Sequence, residues 1–276
     1  MSMGKDMRMA RLFGAGSKSK RMVLVTMDHG ICISPMMEIS NPAKVIQQIV
    51  EGGADAMLLT PGIAKCAYKE LVGKASLIVR IDGTATSIGP DLTNDELIYS
   101  VEGASSLGAD AVATFGVIGV SREAQLSQKI ARVSEDCDEW GMPHLVEMCP
   151  DEMLRHQFTD RAKREWPSDP ELVKYHARVA AELGADIVKG YYTGDPKTFR
   201  EVIEYCPVPY AVLGGPASSD PEVFLKFIRE AMDCGARGVC LGRNVWTYKD
   251  PTALTKAVCR IVHDDTSAEE ALKEIK

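Results

Sequence analysis

The chain has 276 residues, 45% hydrophobic and 26% charged, an ordinary globular composition with apolar mass enough for one large core or two small ones. Disordered, collagenous and disulfide-framework classes are excluded, and the longest apolar stretches, such as 22–27, fall far short of the roughly 18–20 residues that cross a bilayer. A net charge of −7, with the basic residues dispersed rather than striped, argues against nucleic acid as a partner.

Residues 1–20 form a basic N-terminal extension with no apolar segment between its charges and Met22, so they do not read as a secretory signal. The protein is expected in the cytoplasm. The first strand-like run is 22–27, followed by a helix over 41–51 that opens on Asn41-Pro42. A strand at 56–59, a helix at 63–72, a strand at 77–81 and a helix at 94–107 come next, then a strand at 111–115, a helix at 121–139 and a strand at 144–148. Segment 149–169 is long and charged and reads as a loop over the mouth of the fold. Beyond it lie helices at 170–183, 196–204, 220–234 and 251–262, alternating with strands at 186–189, 210–213 and 238–241. Several of these helices open on Asx-Pro, a cap residue followed by proline at the first helical position. A last helix is expected within 264–276, with a solvated charged face.

A weak repeat punctuates this alternation. Gly52-Gly53-Ala54-Asp55, Leu107-Gly108-Ala109-Asp110, Leu183-Gly184-Ala185-Asp186 and Cys234-Gly235-Ala236-Arg237 each join a helix end to an apolar run. Glycine suits a helix terminus because it takes positive φ without Cβ strain, and the run after it is short enough for a buried parallel strand. Eight β/α alternations in about 250 residues match a single-domain α/β fold, the (β/α)8 TIM barrel. The competing doubly wound open sheet usually carries a glycine-rich turn after its first strand. Here that strand is followed by Asp28-His29-Gly30, so the barrel is preferred.

The eight cysteines include no Cys-x-x-Cys pair and several sit in apolar runs, the usage of a reducing compartment. The five histidines show neither His-x-His nor His-Glu-x-x-His, so no metal site is expected.

A barrel carries its chemistry at the C-terminal strand ends. The polar residues there are Asp28 and His29, Thr60, Arg80 and Asp82, Thr114, Glu147, Lys189, Gly214 and Gly215, and Gly242, Arg243 and Asn244. Lys189 closes an otherwise apolar strand, where a dry site disfavours the ammonium and frees an amine to attack a carbonyl. The alternative is a lysine that binds phosphate or carboxylate as a point charge. Gly214, Gly215 and Ser218 after strand 7, with Gly242 and Arg243 after strand 8, suit a phosphate grip built from backbone N–H groups and a guanidinium. Asp28 and His29 read either as an acid/base with a substrate contact or as an Asx turn. An inward Glu147 is either a functional carboxylate or one tied to an inward arginine such as Arg80.

Taken in this order and spacing, Met27-Asp28-His29-Gly30, Asn41-Pro42, Val188-Lys189, Leu213-Gly214-Gly215 and Gly242-Arg243-Asn244-Val245-Trp246 resemble the archaeal-type (DhnA-type) class I fructose-bisphosphate aldolases of the DeoC/LacD superfamily. The resemblance implies Lys189 as the Schiff-base lysine, Asp28 as an acid/base and the two glycine loops as the phosphate grip. It implies a metal-independent aldolase acting on a phosphorylated ketose, with fructose 1,6-bisphosphate as the first expectation, no organic cofactor, and a homo-oligomeric ring, often a decamer. At the end of strand 5 the family usually carries Tyr-Pro-Arg-Gly, whereas this chain reads Cys149-Pro150-Asp151-Glu152. Glu147, on the same face of the strand, is the candidate replacement for the tyrosine, with Tyr191 and Tyr192 as lesser ones. Relatives that lack the tyrosine include a transaldolase-like synthase of an aminoshikimate-pathway precursor and a phosphorylated-dione thiolase. The non-enzyme alternative is a barrel that only binds sugar phosphate.

Overall fold

A computed structural model describes residues 2–14, 19–32, 36–83, 85–150, 169–215, 218 and 220–275. Eight parallel strands close into one barrel. In chain order they are β1 (Met22–Thr26), β2 (Ala56–Leu59), β3 (Ser76–Arg80), β6 (Ala111–Ile118), β7 (His144–Pro150), β8 (Ile187–Gly190), β9 (Tyr210–Leu213) and β10 (Gly238–Leu241), with β10 pairing back to β1. The expected TIM barrel is therefore the fold. Helices α2 (Pro42–Glu51), α3 (Pro61–Ala67), α4 (Val101–Ser106), α5 (Glu123–Glu139), α6 (Pro170–Glu182), α7 (Pro196–Tyr205), α8 (Pro221–Asp233) and α10 (Pro251–Asp264) pack outside it. Among the described residues no helix is long and apolar enough to cross a membrane. The expected mouth loop falls mainly on 151–168, outside the described residues.

The repeat glycines behave as their chemistry requires. Gly53, Gly108, Gly184 and Gly235 hold φ of +96°, +81°, +94° and +105° at four helix-to-strand joints. Asn41, Asp169, Asp195, Asp220 and Asp250 accept backbone N–H bonds at helix starts, each with proline next.

Side-chain alternation then sorts each strand into two faces. Met22, Leu24, Ala56, Leu58, Ile78, Ala111, Ala113, Leu145, Ile187, Ala211 and Cys240 fill the barrel interior, while the other parity packs against the helices. The bottom of this interior is closed by α1 (Met3–Leu12), an element not expected from the basic 1–20 extension. Leu12 is fully buried among the interior residues. Lys5 is buried too and pairs with Asp138 at 2.6 Å and Asp186 at 2.8 Å. The charges of this helix dominate a hydropathy reading, while its apolar side is only Leu12 with Met9, joined by Phe13 at its end.

One expected helix is largely absent. Over 94–107, residues Glu96–Leu97 form a short strand, β5, antiparallel to β4 (Asp82–Gly83), and α4 starts only at Val101. The N–H groups of Ile98 and Tyr99 both donate to Ile81 O, which ties this stretch to the chain leaving β3, and Ser100 caps α4 by accepting from Gly103 N. Tertiary hydrogen bonds outcompete helix propensity there. The expected C-terminal helix is present as α11 (Ala268–Ala271) with a 3-10 turn at Leu272–Ile275. Its Glu269 and Glu270 are exposed, yet Ala268 and Ala271 are buried, so the element is a packed layer as well as a charged face.

A Cβ built on Gly190 at the end of β8 would stand 2.2 Å from Tyr210 Oη. Tyr210 is fully buried and its hydroxyl donates to Tyr191 O, so it has nowhere to go. Gly190→Ala is expected to destabilise the fold by about 1–3 kcal/mol through overpacking. Urea unfolding measures this, and an unchanged midpoint would contradict the close packing behind Lys189.

Candidate active site

The parity that places Leu145 and Ile187 inside the barrel also places Glu147 and Lys189 inside, two residues nearer the mouth. The β7–β8 register sets Glu147 opposite Lys189, and Lys189 Nζ stands 2.8 Å from Glu147 Oε2. Both are buried, at 4% and 9% exposure. Lys189 is thus not a lone amine in an apolar mouth, the first expectation for it, but one member of a buried ion cluster.

Arg80 organises that cluster. Its Nε donates to Asp28 Oδ2 at 2.8 Å, its Nη2 to Glu147 Oε2 at 2.5 Å, and its Nη1 to Asp82 Oδ1 at 3.5 Å. Of the two readings of Glu147, the tie to Arg80 is realised, and the same carboxylate also meets the lysine. The Asx-turn reading of Asp28 is not realised: Asp28 precedes a 3-10 turn at His29–Ile31 without any side-chain cap bond, and its carboxylate turns to Arg80 instead.

The cluster's electrostatics follow from burial opposed by the two cations. Burial pushes the Asp28 carboxyl up, but Arg80 and Lys189 outweigh it and hold it at about 2. Glu147 is lowered in the same way, with Lys189 and Arg80 overcoming desolvation. His29 goes down to about 4 because burial overcomes the opposing pull of Asp28, with Arg243 and Lys189 adding to the lowering. Near neutral pH both carboxylates are therefore ionised and His29 is a neutral imidazole.

A cavity is lined by the cluster residues Asp28, His29, Arg80, Glu147 and Lys189 together with Asp82, Leu92, Asp95 and Phe115. Asp82 is fully buried and accepts from Phe115 N at 2.6 Å and from Lys129 Nζ at 2.7 Å. Lys129 Nζ also lies 3.3 Å from Asp95 Oδ2. Burial and the neighbouring Asp82 push Asp95 up to about 7, against the pull of Lys129. Neither Lys129 nor Asp95 was among the residues expected from the sequence. The only trace of them is a lysine on the inner face of α5 and an aspartate in a stretch read as helix.

The two loops expected to grip phosphate meet each other. Gly215 has φ of +70°, Asn244 Nδ2 donates to Gly214 O at 2.7 Å, and Ser218 N donates to Asn244 Oδ1 at 3.3 Å. Arg243 opens the short helix α9 (Arg243–Trp246) after Gly242. A Cβ on Gly242 would stand 2.8 Å from His29 Cε1, so loop 8 touches the cavity wall through His29. His29 also meets the Trp246 ring edge-on at 5.5 Å, and Trp246 Nε1 donates to Thr26 O at 3.1 Å. Asn244 stood in the strand-end inventory without a role and is the residue that joins the loops. Asn244→Ala removes two hydrogen bonds at once and is expected to weaken binding of a sugar phosphate by roughly 5–30-fold. Calorimetric titration checks it, and unchanged affinity would remove the loop junction from the site.

Three other candidates lie elsewhere. Thr114 faces outward, where its hydroxyl meets His144 Nε2 at 2.7 Å and His144 Nδ1 meets Ser134 Oγ at 2.9 Å, a buried polar contact between barrel and α5. Tyr192 turns into the helix layer, donating to Glu230 at 2.5 Å and packing edge-on against Phe199 and Phe227. Tyr191 is buried with its hydroxyl 3.1 Å from Cys149 Sγ.

The DeoC/LacD family aldolase profile matches residues 22–248, which is the whole barrel. The chain belongs to the DeoC/LacD family of aldolases. Within that family it is 35% identical to a 2-amino-3,7-dideoxy-D-threo-hept-6-ulosonate synthase of Archaeoglobus fulgidus, over 98% of this chain and 95% of that one. It is 33% identical to an uncharacterised aldolase of Saccharolobus solfataricus, over 99% of both chains. Among solved structures it is similar to an archaeal fructose-1,6-bisphosphate aldolase whose catalytic lysine is covalently bound to the carbinolamine intermediate of the substrate. The TM-score is 0.81 at 29% identity, covering 94% of this chain and 99% of that one. For this DeoC/LacD aldolase, the buried lysine and paired carboxylates stand at the mouth of the barrel where the fold places its chemistry.

Proposed function

We propose that this aldolase works through an imine on Lys189, cleaving or forming a carbon–carbon bond in a phosphorylated ketose. The observation that carries the reading is the buried Lys189 amine 2.8 Å from the Glu147 carboxylate, with Asp28 tied into the same cluster through Arg80. Glu147 stands where it can take the proton that the ammonium must lose before it attacks. The amine adds to the ketone carbon, water leaves, and a protonated imine results. A carboxylate, Asp28 or Glu147, then removes the proton of the hydroxyl on the second carbon from the imine. The intervening carbon–carbon bond breaks toward the nitrogen, leaving an enamine and a free aldehyde. Returning the proton to the enamine carbon and adding water releases the second product and restores the amine. His29 contacts the substrate, and Gly214, Gly215, Ser218, Gly242 and Arg243 hold its phosphate, so that the reacting carbon stays within reach of Lys189.

Fructose 1,6-bisphosphate, giving dihydroxyacetone phosphate and glyceraldehyde 3-phosphate, is the reference substrate, supported by the similar archaeal enzyme of that activity. A second reading, an aldol-transfer synthase, is supported by Cys149 in the usual place of the tyrosine and by the relative that bears a synthase name. The test is borohydride reduction in the presence of dihydroxyacetone phosphate or fructose 1,6-bisphosphate, followed by intact mass and peptide mapping. An adduct on Lys189 is the expected result. A panel of phosphorylated ketoses and diones then separates aldolase, synthase and thiolase. A folded protein that binds the ligands without an adduct would instead be a sugar-phosphate-binding barrel. A homo-oligomeric ring, up to a decamer, is proposed from the family resemblance, and light scattering measures it.

A further inference from the structure

The cavity has two chemically different ends. At one, loop 8 reaches the wall through Gly242 and His29, with Arg243 close enough to affect the imidazole's charge. At the other, the β4–β5 hairpin and α5 bring Asp82, Lys129 and Asp95 together behind an apolar surface that includes Leu92 and Phe115. Lys129 is shared by the two carboxylates, and burial beside Asp82 raises Asp95, the mark of an end short of cations. Arg80, the next cation, is likewise engaged by Asp28, Asp82 and Glu147. Arg122, which reaches the hairpin from the start of α5, is held by Glu96 and Asn94.

The two hairpin-end carboxylates are not equivalent. Asp82 is fully buried and both of its oxygens take hydrogen bonds. Asp95 lines the cavity, is 7% exposed, and receives its side-chain bond from Lys129 on Oδ2 alone. Among the described residues nothing donates to its Oδ1, and that atom is not sealed inside the protein. That oxygen is an acceptor offered to whatever fills this end of the cavity.

Resting on the imine reading above, we infer that Asp95 determines which second half of the substrate this enzyme accepts: one that presents a hydroxyl or ammonium donor to the carboxylate, and not a second phosphate. Asp82 and Asp95 share the one ammonium of Lys129, and Asp95 is already pushed up to about 7 by burial and Asp82, so a phosphate placed there adds negative charge to a buried acidic pair and must force Asp95 to hold a proton or meet it as a like charge, with no described cation at that end left to offset it. A hydroxyl or ammonium donates to Oδ1 and satisfies it. The phosphate held by loops 7 and 8 is then the only one in the preferred substrate, which makes fructose 1,6-bisphosphate the comparison ligand and sides with the aldol-transfer reading.

The test compares fructose 1-phosphate with fructose 1,6-bisphosphate, which differ only in the terminal phosphate. Calorimetric binding and steady-state cleavage are measured for the wild type, Asp95→Asn and Asp95→Ser, with borohydride trapping of dihydroxyacetone phosphate as a parallel measurement. The wild type is expected to favour the monophosphate by roughly tenfold, and both variants to bring the ratio close to one while still trapping the imine. A wild type that favours the bisphosphate, or a ratio that does not move in either variant, overturns the role of Asp95. Trapping in the presence of an unmoved ratio sinks this inference alone. Absence of trapping with a ratio that does move sinks the imine reading and leaves Asp95 in place, and no binding of either ligand sinks both.

Discussion

Lys189→Ala is expected to lower turnover on the order of 10⁴-fold or more and to abolish the borohydride-trapped adduct, because no other group in the cluster can form a nitrogen-linked intermediate. Asp28 and Glu147 are carboxylates, and the Arg80 guanidinium stays protonated with three carboxylates around it. The substitution also removes the ammonium that meets Glu147, but Arg80 continues to bond the same carboxylate oxygen at 2.5 Å, so the fold is expected to survive. Circular dichroism and urea unfolding check that second point. Turnover retained within tenfold in a folded Lys189→Ala protein would eliminate the imine mechanism, whatever the substrate.

Arg80→Met is expected to have the largest effect on stability, about 3–5 kcal/mol, since it strips a buried cation from Asp28, Asp82 and Glu147 together. Lys189 and Lys129 remain, yet neither is bonded to Asp28. The pH dependence carries the specific signature. In the folded protein Asp28 sits at about 2, below the roughly 3.9 of an unfolded chain. A depressed carboxylate adds stability that is present above about pH 4 and is lost as the pH falls toward 2, here about 2 kcal/mol. Arg80→Met removes much of that contribution, so the stability gap between wild type and variant is expected to be widest near pH 7 and to narrow by pH 3. A gap that stays constant across that range would mean that Asp28 is not held down by Arg80. Arg80→Lys keeps the charge but not the fork that reaches three carboxylates through separate nitrogens, so partial recovery is expected.

Much of the Asp28–Arg80–Glu147–Lys189 cluster is legible in the sequence. Each of the four stands at a strand end in the linear sequence, and strand parity alone predicts that Arg80, Glu147 and Lys189 face inward once the barrel is accepted. The pairing of Glu147 with Arg80 was one of two open readings. Its pairing with Lys189 depended on register, which brings residues 42 positions apart side by side and has no counterpart in periodicity.

The barrel is legible along the chain, because the alternation of short apolar runs with proline-capped helices and the positive-φ glycines at four joints are local signals that need no distant partner. The polar residues at the strand ends are legible in the same way. Only the tertiary structure decided the basic N-terminal helix under the barrel, the β4–β5 hairpin in place of a helix, and the Asp82–Lys129–Asp95 wall of the cavity. Each of these is held by hydrogen bonds and ion pairs beyond the reach of one helical turn, such as Asp82 with Leu97 across the hairpin, Lys129 with Asp82, and Lys5 with Asp186. Local propensity carries no record of such pairs, and their energy, set by burial and geometry, overrides it.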